Sequence, residues 1–188
     1  TIKNVRKEKK IFLFLLAFFF YIDGVYTIID MATAYGTALG LDSTGLLLAL
    51  LVTQLVAFPF AIIFGRLSKC YDVRTLITIC IAAYFGIALF AIFLKAQWQF
   101  WIMAILVGMF QGGIQALSRS YFTKIIPAEK SGEYFGLMDI CGKGASFLGT
   151  TVISLIAQFT GKVNIGVGAI SLFFVCGMIV FKMATAEA

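Results

Sequence analysis

The sequence predicts an all-α integral membrane protein, with six transmembrane helices arranged as a 3+3 repeat unit that has one wet face. Three observations carry that expectation. Hydrophobic residues make up 61% of the 188 and charged ones 13%, far from the balance of a water-soluble domain. Apolar runs long enough to cross a bilayer recur along the whole length. These runs do not alternate polar and apolar residues as barrel strands do, so the chain spans as helices, which satisfy their own backbone where lipid offers no partners.

The first span is expected over residues 11–38. Its opening half, IFLFLLAFFFY, is apolar all round, whereas Asp23, Thr27, Asp30 and Ala34 follow on one face at helical spacing. Gly24 and the Thr-rich end suggest a bend. Gly40-Leu41-Asp42-Ser43 reads as a tight turn, with Asp42 or Ser43 placed to cap the next helix. The second span, 44–67, contains Gln54 and a mid-helix Pro59 that removes one backbone bond and favours a kink. The third, 76–94, has neither charge nor amide side chain.

Lys95-Ala96-Gln97 is a very short connection, and Trp98 and Trp101 suit an interfacial belt. In the fourth span, 98–121, Gly108, Gln111, Gln115 and Ser118 share one face, and Gly108 and Gly112 offer a close-packing surface. Pro127 breaks the chain after it and is placed to open a short interfacial helix. The fifth span, 131–159, is read as one helix carrying Asp139, Lys143, Ser146 and Thr150 on a stripe. The sixth, 163–181, is again free of charge.

The net charge of +6 does not point to nucleic acid, because the basic residues sit between spans. Of fifteen Lys and Arg, five fall in the opening KNVRKEKK, three in 66–74 and three in 119–130. Twelve lie on the side of the N-terminus, against Lys95 and Lys162 on the other, with Lys143 inside the membrane. That asymmetry places both termini in the cytoplasm. The expected organisation is a basic cytoplasmic linker over 1–10, a six-span domain over 11–182 and a cytoplasmic tail over 183–188, in a multi-pass protein of the plasma membrane. The first apolar segment is too long for a cleavable signal peptide and lacks a small-residue cleavage site.

No cofactor or metal is expected. Histidine is absent, and Cys70, Cys80, Cys141 and Cys176 show no CxxC spacing, so they read as small buried hydrophobes. The twenty Phe and the Met residues read as lipid-facing filler. Neither HExxH nor GxSxG is present, which weighs against an intramembrane enzyme.

Polarity is unevenly shared among the spans: the first, fourth and fifth have polar faces, the second is mixed, the third and sixth are bare. A charged or amide side chain facing lipid costs about 3 kcal/mol at mid-bilayer. The polar faces should therefore converge on one another or on water, with spans three and six backing onto lipid. Asp139 and Lys143, four apart, can form an ion pair on one helix turn; that pair either neutralises itself for packing or serves as a gate or substrate-carboxylate site. Asp23 has no basic residue one turn away. Its burial can be met by a proton or by a cation from another span, which suits a proton-coupling site, or it can simply bond a neighbouring helix. Asp30 lies nearer the outer end, where hydration alone would satisfy it. Gln54, Gln111 and Gln115 either meet an amphoteric solute or tie helices together. Arg119 is either a gate that pairs with Glu133 or an ordinary snorkelling residue.

The favoured reading is part of a proton-coupled or facilitative carrier of small solutes working by alternating access. The alternative is a non-transporting membrane scaffold or assembly subunit, in which alanine at Gln111, Asp139 or Lys143 would lower stability without altering any flux.

The pattern of lined and bare spans resembles the C-terminal six-helix half of the major facilitator superfamily, whose third and sixth helices are peripheral. The turn GRLSKCYDVR, with Gly65, Arg66, Asp72 and Arg74, is similar to that superfamily's cytoplasmic loop motif. It departs at Lys69, where an aspartate is usual, and at Asp72, where a glycine is usual. Within the superfamily, YIDGV (21–25), QGGIQALSRS (111–120) and PAEKSGEYFG (127–136) resemble the branch of the autophagy-related vacuolar amino-acid effluxer and its bacterial relatives. The resemblance implies amino acids or peptides as solutes and about twelve spans in all. The partner it implies is an N-terminal six-helix half outside this sequence, or else a second copy of the chain.

Overall fold

A computed structural model describes residues 9–186, so the expected basic linker and the end of the tail lie largely outside the described residues. The described chain is helical, without a strand. Six helical stretches are long and apolar enough to cross a membrane. The first four are single helices: α1 (Lys9–Ala38), α2 (Ser43–Cys70), α3 (Val73–Ile92) and α4 (Gln97–Ile125). A 3-10 turn over Ala128–Lys130 follows, with Pro127 as the residue before it rather than its first member.

The last two spans are each in two pieces, where one helix apiece was expected. The fifth is α5 (Ser131–Gly144) and α6 (Phe147–Thr160), and the sixth is α7 (Val163–Ala169) and α8 (Ser171–Ala186). Ser146 interrupts the fifth in a left-handed conformation, φ 77°. By contrast α1 runs unbroken through Gly24, and α2 runs unbroken through Pro59.

The cap expected at the start of α2 is present, and a second aspartate caps α3. Asp42 caps α2, its carboxylate accepting from the Gly45 N–H at 2.7 Å, and Asp72 caps α3 by accepting from the Arg74 N–H at 3.1 Å. The aspartate that departs from the loop motif thus satisfies an otherwise orphaned donor of its own helix.

Packing between helices depends on small residues and on hydrogen bonds, because lipid is as apolar as the side chains it would replace. The close approach expected at Gly108 and Gly112 is present, and α4 packs along α2 through it. A Cβ on Gly108 would lie 2.6 Å from the Thr53 carbonyl oxygen, and one on Gly112 2.4 Å from that of Ala57. The Thr53 hydroxyl donates across the same seam to the Ala104 carbonyl at 3.2 Å. Tyr84 of α3 donates to the Val107 carbonyl at 3.3 Å, and the Tyr21 and Ser118 hydroxyls meet at 2.7 Å between α1 and α4.

The innermost helix is α1, 67% buried over its most apolar stretch, against 17% for the second and fifth spans. Spans three and six, expected to back onto lipid, are more covered than those two, because they pack against α1, α4 and each other. The uncovered stripe on α2 is mostly apolar, with Leu47, Leu51, Leu55 and Phe58 around an exposed Gln54. Nor is Phe mere lipid-facing filler. Phe14 is fully buried, with ring centroids of Tyr121, Phe122 and Phe181 at 5.2, 5.4 and 6.2 Å. Offset and edge-on ring pairs of this kind add to burial, so aromatic residues form much of the core here. Of the cysteines, Cys80 is buried and Cys141 half-buried, whereas Cys70 and Cys176 are exposed; all four are free.

Candidate functional site

The polar faces of the first, fourth and fifth spans converge on one cavity of about 490 Å³. Its walls carry Asp30 and Tyr26 from α1, Gln115 and Arg119 from α4, and Asp139 and Lys143 from α5, with Ser146 at the break. That volume lies within the range of small-molecule sites.

The charges are balanced: two carboxylates, one guanidinium and one ammonium. Arg119 Nη2 donates to Asp139 Oδ1 at 2.9 Å, joining α4 to α5. This differs from both expected pairs. Asp139 is held by Arg119 rather than by Lys143 on its own helix, and Arg119 reaches Asp139 rather than Glu133. A guanidinium fork reaching across from a neighbouring helix meets a carboxylate plane more readily than an ammonium one turn along the same surface. Lys143 stands exposed in the last turn of α5, where its charge complements the helix dipole.

Asp23 lies elsewhere than the cavity wall. It is fully buried, and its Oδ1 accepts the N–H of Ser146 and, at 3.3 Å, the N–H of Gly149. Those two donors belong to the start of α6, so a carboxylate from the first span caps the second half of the fifth. The other oxygen, Oδ2, has no hydrogen-bond partner among the described residues, and neither has the Thr27 hydroxyl. Both are buried. A Cβ on Gly149 would come 2.1 Å from Thr27 Oγ1, so only glycine lets α6 approach α1 this closely.

The remaining expected site residues are dispersed. Gln54 faces outward on α2, and Gln111 is half-buried outside the cavity lining, its Oε1 without a hydrogen-bond partner among the described residues. Glu133 is in the first turn of α5. Gly65 and Arg66 are exposed at the end of α2, while Arg74 donates to the Thr185 carbonyl at 3.4 Å and so ties the loop motif to the end of α8. Among the described residues no group of three His, Cys, Asp or Glu side chains could hold a metal ion.

What the sequence reading missed is the break itself and the roles of Ser146, Thr27 and Gly149 around it. The segment Gly142-Lys143-Gly144-Ala145-Ser146 carried a signal, two glycines within three residues of an otherwise helical pattern. A left-handed backbone at a residue with a Cβ costs about 1 kcal/mol. Ser146→Gly is therefore expected to raise stability by about that amount, read as a higher melting temperature of the detergent-solubilised protein.

Comparison with known proteins gives a consistent set of relatives. A family model described as "Vacuole effluxer Atg22 like" matches residues 1–188. The chain is 46% identical over 187 residues to an uncharacterized MFS-type transporter, YxiO, of Bacillus subtilis, covering 100% of this chain and 44% of that protein. It is 25% identical over 203 residues to autophagy-related protein 22-2 of Aspergillus niger, covering 100% of this chain and 34% of that one. With autophagy-related protein 22 of Saccharomyces cerevisiae it shares 29% identity over 176 residues, 87% of this chain and 33% of that one. The chain thus spans less than half the length of these relatives.

Proposed function

The chain belongs to the Atg22-like vacuole effluxer family of transporters, and from that membership we propose that it supplies one half of a proton-coupled secondary carrier for small amphoteric solutes. The observation that carries this reading is the cavity. Three spans of a multi-pass membrane protein bring two acids, two bases and an amide to one face. Intramembrane charges of this kind mark solute or ion paths.

In the working carrier this cavity faces a second six-helix unit, and alternating access moves the solute between them. That unit is either a preceding part of a longer chain or a second copy, and both termini of this half lie in the cytoplasm of a plasma-membrane protein. Lys143 and Asp139 meet the solute's opposite charges, with Gln115 bonding beside them. Amino acids or short peptides have the required chemistry. A family described as effluxers supports outward movement of such solutes from a compartment.

The test is flux through the full-length protein in proteoliposomes, using a panel of amino acids and dipeptides. Lys143→Gln is expected to slow uptake at least about tenfold, the effect of losing one charge-assisted contact, with the protein still folded. Equal flux in the variant would remove Lys143 from the solute path. If no member of the panel moved, the amphoteric-solute reading would fail.

A further inference from the structure

We propose that Asp23 and the break in the fifth span form a proton-operated latch, in which one proton on Asp23 Oδ2 loosens α6 from α1 and so reshapes the cavity. This deepens the carrier reading and rests on it for its role in transport, but the latch itself is a property of the fold.

Four observations converge on it. Asp23 is fully buried and engages the start of α6 with one oxygen only, through Ser146 and Gly149 N–H. Its second oxygen is buried and without a hydrogen-bond partner among the described residues, and so is the Thr27 hydroxyl one turn along α1. Thr27 Oγ1 and the Gly149 backbone are packed closely enough that no side chain fits between them. Finally, Ser146 is shared. Its N–H is held by Asp23 while the residue itself lines the cavity beside Lys143.

The surroundings contain little else that titrates. The helix behind Asp23, α8, presents Phe174 against Gly24, and α4 presents the Ser118 hydroxyl to Tyr21. From α6 come only backbone donors. Past Ser146, on the cavity side, are Lys143 and Asp139 of α5, Arg119 of α4 and Asp30 of α1. A charge change at Asp23 is therefore felt first by Ser146 and Gly149.

The chemistry is a single proton transfer. A hydronium proton from the cavity side forms an O–H bond at Asp23 Oδ2, and the carboxylate loses its negative charge. Oδ1 then belongs to a neutral acid, and bonds from N–H groups to a neutral oxygen are about half as strong as those to a carboxylate. The positive end of the α6 dipole also loses its counter-charge. Ser146, already left-handed, becomes the pivot between α5 and α6.

The latch can be read by distance measurements on the full-length protein in liposomes, with its native cysteines replaced and spin labels at Ile140→Cys and Phe159→Cys. Both positions are exposed, one on each piece of the fifth span. Between about pH 5 and pH 9, the distance distribution is expected to shift between two populations, and Asp23→Asn is expected to show the acid population throughout. Sodium at constant pH should change nothing. A pH-invariant distribution overturns the latch, as does an unaltered titration in Asp23→Asn or a shift driven by sodium instead of protons. Should Asp23→Asn not fold, the wild-type titration still decides. Because no solute is needed, failure here is separable from failure to transport.

Discussion

Gly112→Leu is expected to prevent the chain from reaching its folded state. A Cβ at this position would stand 2.4 Å from the Ala57 carbonyl oxygen and 2.9 Å from the Ala61 Cβ. Both obstacles belong to the facing helix at or next to its backbone, so no rotamer change relieves them. Even Gly112→Ala forces α2 and α4 apart at their closest approach, and overpacking of this kind costs about 3 kcal/mol. The loss falls on van der Waals contact and on the Thr53 to Ala104 hydrogen bond, the terms that hold helices together in lipid. Gly86 is the control, since nothing lies within 4 Å of a Cβ built there. Gly86→Leu is expected to leave the melting temperature unchanged or slightly higher, helix propensity favouring the substitution by up to about 1 kcal/mol. Monodisperse yield and thermal melting in detergent measure both. Equal behaviour of the two variants would show that the glycine seam is not what holds α2 on α4.

The second large effect concerns the Arg119–Asp139 pair and separates stability from transport. The side chains are 59% and 48% exposed, and such pairs contribute at most about 1 kcal/mol to stability. Arg119→Gln and Asp139→Asn are therefore expected to fold and melt almost as the parent does. Flux through the full-length carrier is expected to fall at least about tenfold in each, because an opening cavity must break this bond and a solute must replace it. The swapped double variant, Arg119→Asp with Asp139→Arg, should keep the bond but not the flux, since the two charges then face the solute in reverse order. A parallel loss of melting temperature and flux would instead identify the pair as a packing element and favour the scaffold alternative.

Much of this architecture is written in the sequence in physical terms. Lipid leaves helices no choice about their backbone, so span number follows from the lengths of the apolar runs. The cost of polar groups in lipid is what makes the faces of spans one, four and five meet. The Gly108–Gly112 spacing and the Asp42 cap are local patterns with local causes, and both appear as expected. Other features depend on neighbours that one helix cannot see. Asp23 and Asp30 are seven residues apart on one face, yet two turns of rise place one against the start of α6 and the other in the cavity. The Asp139–Lys143 spacing permits a pair, but it says nothing of an arginine arriving from α4. A Phe run reads the same whether it meets lipid or Phe122, because both are apolar. The interruption at Ser146 is stabilised by a carboxylate more than a hundred residues away, so periodicity within the fifth span could not reveal it.

The even division of charge in the cavity bears on how such a carrier would respond to voltage. A zwitterion moving past two carboxylates and two cations transfers no net charge across the bilayer, so the membrane potential neither drives nor opposes that step. A proton carried on Asp23 does transfer charge and gains about 2.3 kcal/mol for every 100 mV it crosses. In the carrier proposed here the electrical component of the driving force therefore enters through one buried side chain, and the solute path stays electrically silent.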